Sequence, residues 1–374
     1  MRVVRPAVRG LWLLIGLAAL LLGCGSGTAR LAAAAAGQVR LHYIAADEVA
    51  WDYAPAVRDL VTGRPFGDAE NTYVARGPDR IGRVYRKSLF REYTDATFTT
   101  LLPRPAAWEH LGLLGPVIHA EVGDTIRVVF RNHTTLPASM HPHGVFYDKA
   151  SEGAPYADGS SGAGAAVPPG GSYTYVWKVP ERAGPGPMDA SSVMWMYHSH
   201  VDEVSDTYAG LMGPIVVTRR GMARPDGSPR DVDRELVTMF MVSDENRSPW
   251  LDDNIRTYAT APQTVRKDDP DFVESNKMHA INGFVFGNLP GLDVRRSERV
   301  RWYVMGMGTE VDLHTPHWHG NTVLAAGMRT DVLSLLPATM TVADMSPDDG
   351  GTWLFHCHVA DHIAAGMQAL YRVH

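Results

Sequence analysis

The chain has 374 residues, enough for two ordinary domains with complete cores. Its formal charge of -6 argues against a nucleic-acid partner. With 36 Gly and 25 Pro among frequent aromatic and β-branched runs, it reads as a loop-rich β protein rather than a helical one.

The N-terminus carries Arg2, Arg5 and Arg9 ahead of an apolar stretch at 11–22, too short to be read as a membrane span. It ends in Leu21-Leu22-Gly23-Cys24, which resembles the lipobox of bacterial lipoproteins. That resemblance implies a signal peptide over 1–23 and a lipid on Cys24. The protein is then exported and anchored to a membrane, facing the periplasm or the cell exterior. The alternative is an ordinary secretory signal cleaved within the alanine tract at 32–36. Residues 24–38 read as a small-residue tether. The second cysteine is Cys357. With Cys24 consumed it has no disulfide partner, and binding to a metal would protect its thiol.

Strand-like runs follow at 39–46, 125–131, 172–179 and 213–218, with an irregular Gly/Pro/Ala-rich excursion at 151–171. A charged, Gly/Pro-containing stretch at 219–234 reads as a linker. Further runs fall at 235–242, 299–305, 339–344 and 352–358. The fold class is all-β, as two β-sandwich domains at 39–220 and 232–374. The halves repeat each other. His141-Pro142-His143-Gly144 and His198-Ser199-His200 in the first match His317-Trp318-His319-Gly320 and His356-Cys357-His358 in the second.

Imidazole is the commonest metal ligand and suits copper. A Cys with two His and a weak Met is the donor set of a blue-copper site, and His314, Cys357, His362 and Met367 supply one. On an extended strand His356 and His358 point one way and Cys357 the other, so one strand could serve two metal sites. Met194, Met196, Met305, Met307 and Met328 read as core fillers.

The mature chain resembles the multicopper oxidases, most closely the ceruloplasmin and hephaestin branch. Beyond the histidine motifs the likeness covers Glu92-Tyr93-Thr94-Asp95-Ala96-Thr97-Phe98, His110-Leu111-Gly112-Leu113-Leu114-Gly115-Pro116 and His279-Ala280-Ile281-Asn282-Gly283. The resemblance implies two cupredoxin-like Greek-key domains, the short bacterial form of a six-domain family, assembled as a homotrimer with clusters between protomers. It implies a type 1 copper on His314, Cys357, His362 and Met367, and a type 2 copper on His141 and His317. The type 3 pair falls to His143, His198, His200, His319, His356 and His358, giving four coppers per protomer equivalent. Ser199 and Ala138 stand where Cys357 and His314 would, so the first domain has no blue site. Electrons from a one-electron donor enter at the type 1 copper and pass through Cys357, His356 and His358, and O2 is reduced to water.

For the donor, Glu274-Ser275-Asn276-Lys277-Met278-His279 is similar to the ceruloplasmin segment that gives a Glu and a His to iron. Glu274, His279 and Asp361, with Glu310 from a neighbouring protomer, then form a site for Fe(II). The alternatives are a laccase-like oxidase of phenols, reached through an apolar cleft near His314, or of Cu(I) or Mn(II). A copper nitrite reductase places its blue site in the first domain and lacks the paired type 3 histidines. A binding module that has lost its ligands would need no complete set, whereas a copper-storage role is compatible with one.

Overall fold

In a computed structural model of the chain, residues 37–374 are described; Cys24, the leader at 1–23 and most of the tether lie outside them. The first half contributes strands β1 (Val39–Asp52), β2 (Val84–Glu92), β3 (Ile118–Glu121), β4 (Thr125–Asn132), β5 (His141–Pro142), β6 (Ser172–Lys178), β7 (Ser192–His198) and β8 (Met212–Thr218). The second contributes β9 (Arg234–Asp244), β10 (Lys277–Ile281), β11 (Asp293–Val294), β12 (Val300–Gly306) and β13 (Pro316–Trp318). It continues with β14 (Val323–Ala325), β15 (Met328–Thr330), β16 (Met340–Met345), β17 (Gly351–Cys357) and β18 (Gln368–Val373). Among the described residues, five short α-helices fill connections: α1 (Asp68–Val74), α2 (Glu203–Ala209), α3 (Leu251–Tyr258), α4 (Pro270–Ser275) and α5 (Ala360–Ala364).

Alternation builds the sandwiches. Along β4, Ile126, Val128 and Phe130 are fully buried while Arg127 is exposed. The first half pairs a sheet of order β2-β1-β4-β6 with one of order β3-β8-β7-β5. The second repeats both orders as β10-β9-β12-β16 and β11-β18-β17-β13, and the β14–β15 hairpin widens its first sheet. Both halves place a parallel pair at the same point, β1 with β4 and β9 with β12.

Strands β8 and β12 are buried along their whole length because both faces are covered. Ile215 and Val217 enter the first core, whereas Met212 and Val216 join Val237, Met239, Tyr303 and Met305 in an apolar layer between the halves. Met194, Met196 and Met307 fill that layer, but Met328 is 69% exposed on a hairpin and fills no core. Residues 219–233, which join β8 to β9, form a packed turn. Ala223 bridges Pro229, and the Arg224 guanidinium donates to the carbonyls of Pro229 and Val232 at 2.5 and 2.6 Å.

Candidate metal centres

Sheet pairing assembles the histidines. On the first half's open edge, β5 pairs with β7 so that His141 faces His198. On the second, β13 pairs with β17 so that His317 faces His356 and Pro316 faces Cys357. The glycine closing each His-x-His-Gly element is required there. Gly144 and Gly320 both have φ +72, and an added Cβ would lie 2.0 Å from the Trp195 ring and 2.4 Å from the Trp353 ring. These tryptophans precede the second His pair in each half, in a repeated Trp-x-x-His-x-His pattern that sequence reasoning did not single out.

In the first half, His143 Nε2 lies 3.1 Å from His198 Nε2, and the His141 ring centroid is 5.1 Å from that of His200. In the second, His356 Nε2 lies 3.0 Å from His319 Nε2 and 3.3 Å from His317 Nδ1, with His358 stacked 5.3 Å from His317. Carbonyls fix several tautomers: Glu152 O accepts from His141 Nδ1 at 2.7 Å, Ser199 O from His198 at 2.9 Å and Cys357 O from His356 at 2.7 Å. Burial, reinforced by the neighbouring rings, pushes His143 down to about 4; burial likewise takes His198 to about 4 and lowers His356. Neutral imidazoles whose ring nitrogens approach at hydrogen-bond distance present lone pairs to a shared cation.

Behind β17, Cys357 is fully buried with His314 and His362. Its Sγ is 3.5 Å from His362 Nδ1 and 3.9 Å from His314 Nδ1, and the Thr315 amide donates to it at 3.3 Å. Burial opposes ionisation, but these donors outweigh it and bring the thiol down to about 6. Met367 is fully buried in the same core, and its carbonyl accepts from the Cys357 amide at 3.1 Å. Buried Asp312 accepts from His314 Nε2 at 3.1 Å and from the amides of Val242 and Thr309. Nothing in the sequence pattern singled Asp312 out.

The first half shows what the blue-type site becomes without its ligands. The Ser199 amide donates to Leu211 O, and the Leu211 amide to Asp206 O, as Cys357 and Met367 do to Met367 O and His362 O. Ala138, Ser199, Asp206 and Leu211 therefore occupy the places of His314, Cys357, His362 and Met367. Ser199 Oγ donates to Asp206 Oδ2 at 2.6 Å, closing the site with a hydrogen bond.

A third grouping abuts His362. The His279 ring on β10 sits 5.2 Å from the His362 ring and 5.8 Å from Tyr73 on α1. Glu274, at the end of α4, accepts from the Tyr73 hydroxyl at 3.1 Å. Burial and then His362 lower His279 to about 4, against the opposing pull of Glu274 and Asp361. Burial first, then the same two carboxylates, push Tyr73 above the ordinary phenol range. Glu274 and Asp361 thus lie within electrostatic reach of His279 and Tyr73, and Glu310 is exposed on another loop. A cavity of about 710 Å³ lies elsewhere, lined by Trp51, Leu89, Arg104, Trp108 and His119, and none of the histidine or cysteine groupings line it.

A duplicated β-sandwich with a buried Cys–His₂ site and paired imidazole clusters defines a copper protein of cupredoxin type. The multicopper oxidase family matches this chain twice, over residues 108–221 and 256–374, and the chain belongs to that family. Ferroxidase HEPHL1 of Mus musculus is 46% identical over 340 residues, 89% of this chain and 29% of its own length. Hephaestin of Homo sapiens is 45% identical over 344 residues, 90% of this chain and 29% of its own. Human ceruloplasmin is 44% identical over 339 residues, 89% and 30% respectively. The chain thus spans about three tenths of the length of these curated relatives. Among solved structures, one titled multicopper oxidase aligns with TM-score 0.57 at 18% identity, covering 90% of this chain and 89% of that one. The blue copper oxidase from Nitrosomonas europaea aligns at TM-score 0.52 and 18% identity, covering 90% and 86%. At that identity the structures share the fold. The family binds copper, and the thiol and imidazoles described above are a donor set that fits it.

Proposed function

We propose that the protein is a copper oxidase that takes single electrons from Fe(II) and reduces O2 to water. The observation that carries the choice of Fe(II) is the contact of His279 with His362, with Glu274 and Asp361 beside it. Carboxylate and imidazole donors suit a ferrous ion. His314, Cys357, His362 and Met367 would hold the type 1 copper, His141 and His317 the type 2, and the other six histidines the type 3 pair. Copper there supplies one-electron chemistry, so that four Fe(II), four protons and one O2 give four Fe(III) and two waters.

The chain's own contribution is placement. His279, Glu274 and Asp361 seat the metal-ion substrate against His362. Asp312 fixes the His314 ring. Cys357 is bonded in sequence to His356 and His358, and the His356 Nδ1–Cys357 O hydrogen bond adds a second link. Oxygen uptake tests the substrate. The double substitution Glu274→Ala, Asp361→Ala should lower kcat/KM for Fe(II) at least about tenfold, one ligand's worth of binding, and leave a bulky organic reductant nearly unchanged. Equal losses on both would remove the iron reading.

The two four-histidine groups are separate within one chain and lie on open sheet edges. This supports a cyclic homotrimer in which each cluster forms between protomers. The leader and Cys24 support export and a lipid anchor, which the mass of the mature N-terminal peptide checks.

A further inference from the structure

Both oxygens of the Glu274 carboxylate already have donors. The Tyr73 hydroxyl reaches Oε1 at 3.1 Å, and the Lys277 ammonium reaches Oε2 at 3.1 Å. The two donors differ in kind. Tyr73 is wedged edge-on against His279 and lies 6.5 Å from the Phe286 ring, so its hydroxyl is held in place. Lys277 opens β10 on a flexible four-carbon stem, with its side chain 36% exposed and Glu274 as its ion-pair partner. An exposed pair of this kind adds little to the fold, so its place beside the site asks for another account.

We propose that Lys277 is an exchangeable counter-ion of the donor site. It occupies Oε2 of Glu274 until a divalent metal ion displaces it, while Tyr73 stays on Oε1 and keeps the carboxylate turned toward His279 and Asp361. This rests on the Fe(II) reading above. A divalent ion must do two things on entry: free a carboxylate oxygen and accept a nearby ammonium. Both weaken its affinity. When the ion leaves, the ammonium returns to the vacated oxygen, so the acidic site is never left without a cation. Lys277 acts through Glu274 and is a positioning residue; it touches no reacting atom.

Calorimetric titration of the copper-loaded protein with Co(II), which is not oxidised on this timescale, reads the site without turnover. Lys277→Met should tighten Co(II) binding and lower KM for Fe(II), each about two- to fivefold, the range of an exposed ion pair. Its kcat with an organic reductant should not change. Lys277→Arg should keep the parental affinity, and Tyr73→Phe should weaken Co(II) binding. Unchanged or weaker Co(II) binding by Lys277→Met overturns the counter-ion. The Fe(II) reading survives that result if Glu274→Ala still abolishes binding in the parent. Parental Co(II) binding that is indifferent to Glu274→Ala overturns both.

Discussion

Among single residues, Lys87 and Glu245 form an ion pair with both side chains fully buried. Nζ lies 2.5 Å from Oε1 and from Tyr208 O, and the Tyr53 hydroxyl also reaches Glu245. Oε2 of Glu245 has no partner, and burial raises its carboxyl above the ordinary range against the pull of Lys87. Lys87→Met would leave that carboxylate alone in the interior, which costs about 3–5 kcal/mol, whereas Lys87→Met with Glu245→Leu should fall within about 1–2 kcal/mol of the parent. In the single variant the folded state binds the Glu245 proton more tightly than the unfolded chain does. Its deficit should therefore shrink as pH falls toward the ordinary glutamate value of about 4.3 and be full above the raised folded value. Urea unfolding at pH 5 and pH 8 measures both; a single variant as stable as the double would refute the account. The effect reaches the donor site. The Glu245 amide donates to Asn276 O, and Tyr85 to the Asn276 side chain, so the pair braces the segment from Glu274 to His279. None of this was legible in the sequence. His, Cys, Glu and Asp stand out there by rarity and spacing, but Lys87, Tyr73 and Asp312 gain their roles only from partners on distant elements.

At the scale of elements, the two His-x-His-Gly strands are the devices that aim the imidazoles, and their glycines are conformational necessities. Gly320→Ala would force a Cβ into a left-handed backbone and into the Trp353 ring at 2.4 Å. Strain and overlap together should cost about 2–4 kcal/mol and lower the copper retained by the second-half histidines. Gly327, in the β14–β15 turn, is the comparison. It has φ +76 but nothing within 4 Å of an added Cβ, so Gly327→Ala should cost only about 1–2 kcal/mol of strain. Thermal melting and copper counting on the two variants separate strain from contact. Equal costs would mean that the Trp353 ring yields freely. The strands themselves were readable, because alternation at 125–131, the continuous apolar run at 213–218 and the repeated histidine motifs need no tertiary information. The tryptophans were not, since an aromatic residue on a strand is ordinary core until its ring is found against a glycine. That the stretch at 219–233 is packed was not legible, because it depends on Arg224 spending its donors on the turn's own carbonyls.

At the scale of the molecule, the two kinds of metal site should respond differently to dilution. His314, Cys357, His362 and Met367 all come from the second half, with Cys357 and Met367 in its core, so on the proposed reading one chain supplies every ligand of the blue-type site. On the same reading it does not complete the paired clusters. Within a chain the groups around His141, His143 and His198 and around His317, His319 and His356 are distinct. If they meet only between protomers, copper binding and assembly are linked by mass action, and each stabilises the other. Diluting the copper-loaded protein through its assembly range should then release cluster copper and abolish O2 reduction while the blue colour per chain persists. Excess copper should shift that range to lower protein concentration by the same linkage. Sedimentation velocity with parallel copper analysis and visible absorption follows all three quantities. A sedimenting monomer that keeps its full copper and its oxidase activity would overturn the shared cluster proposed above.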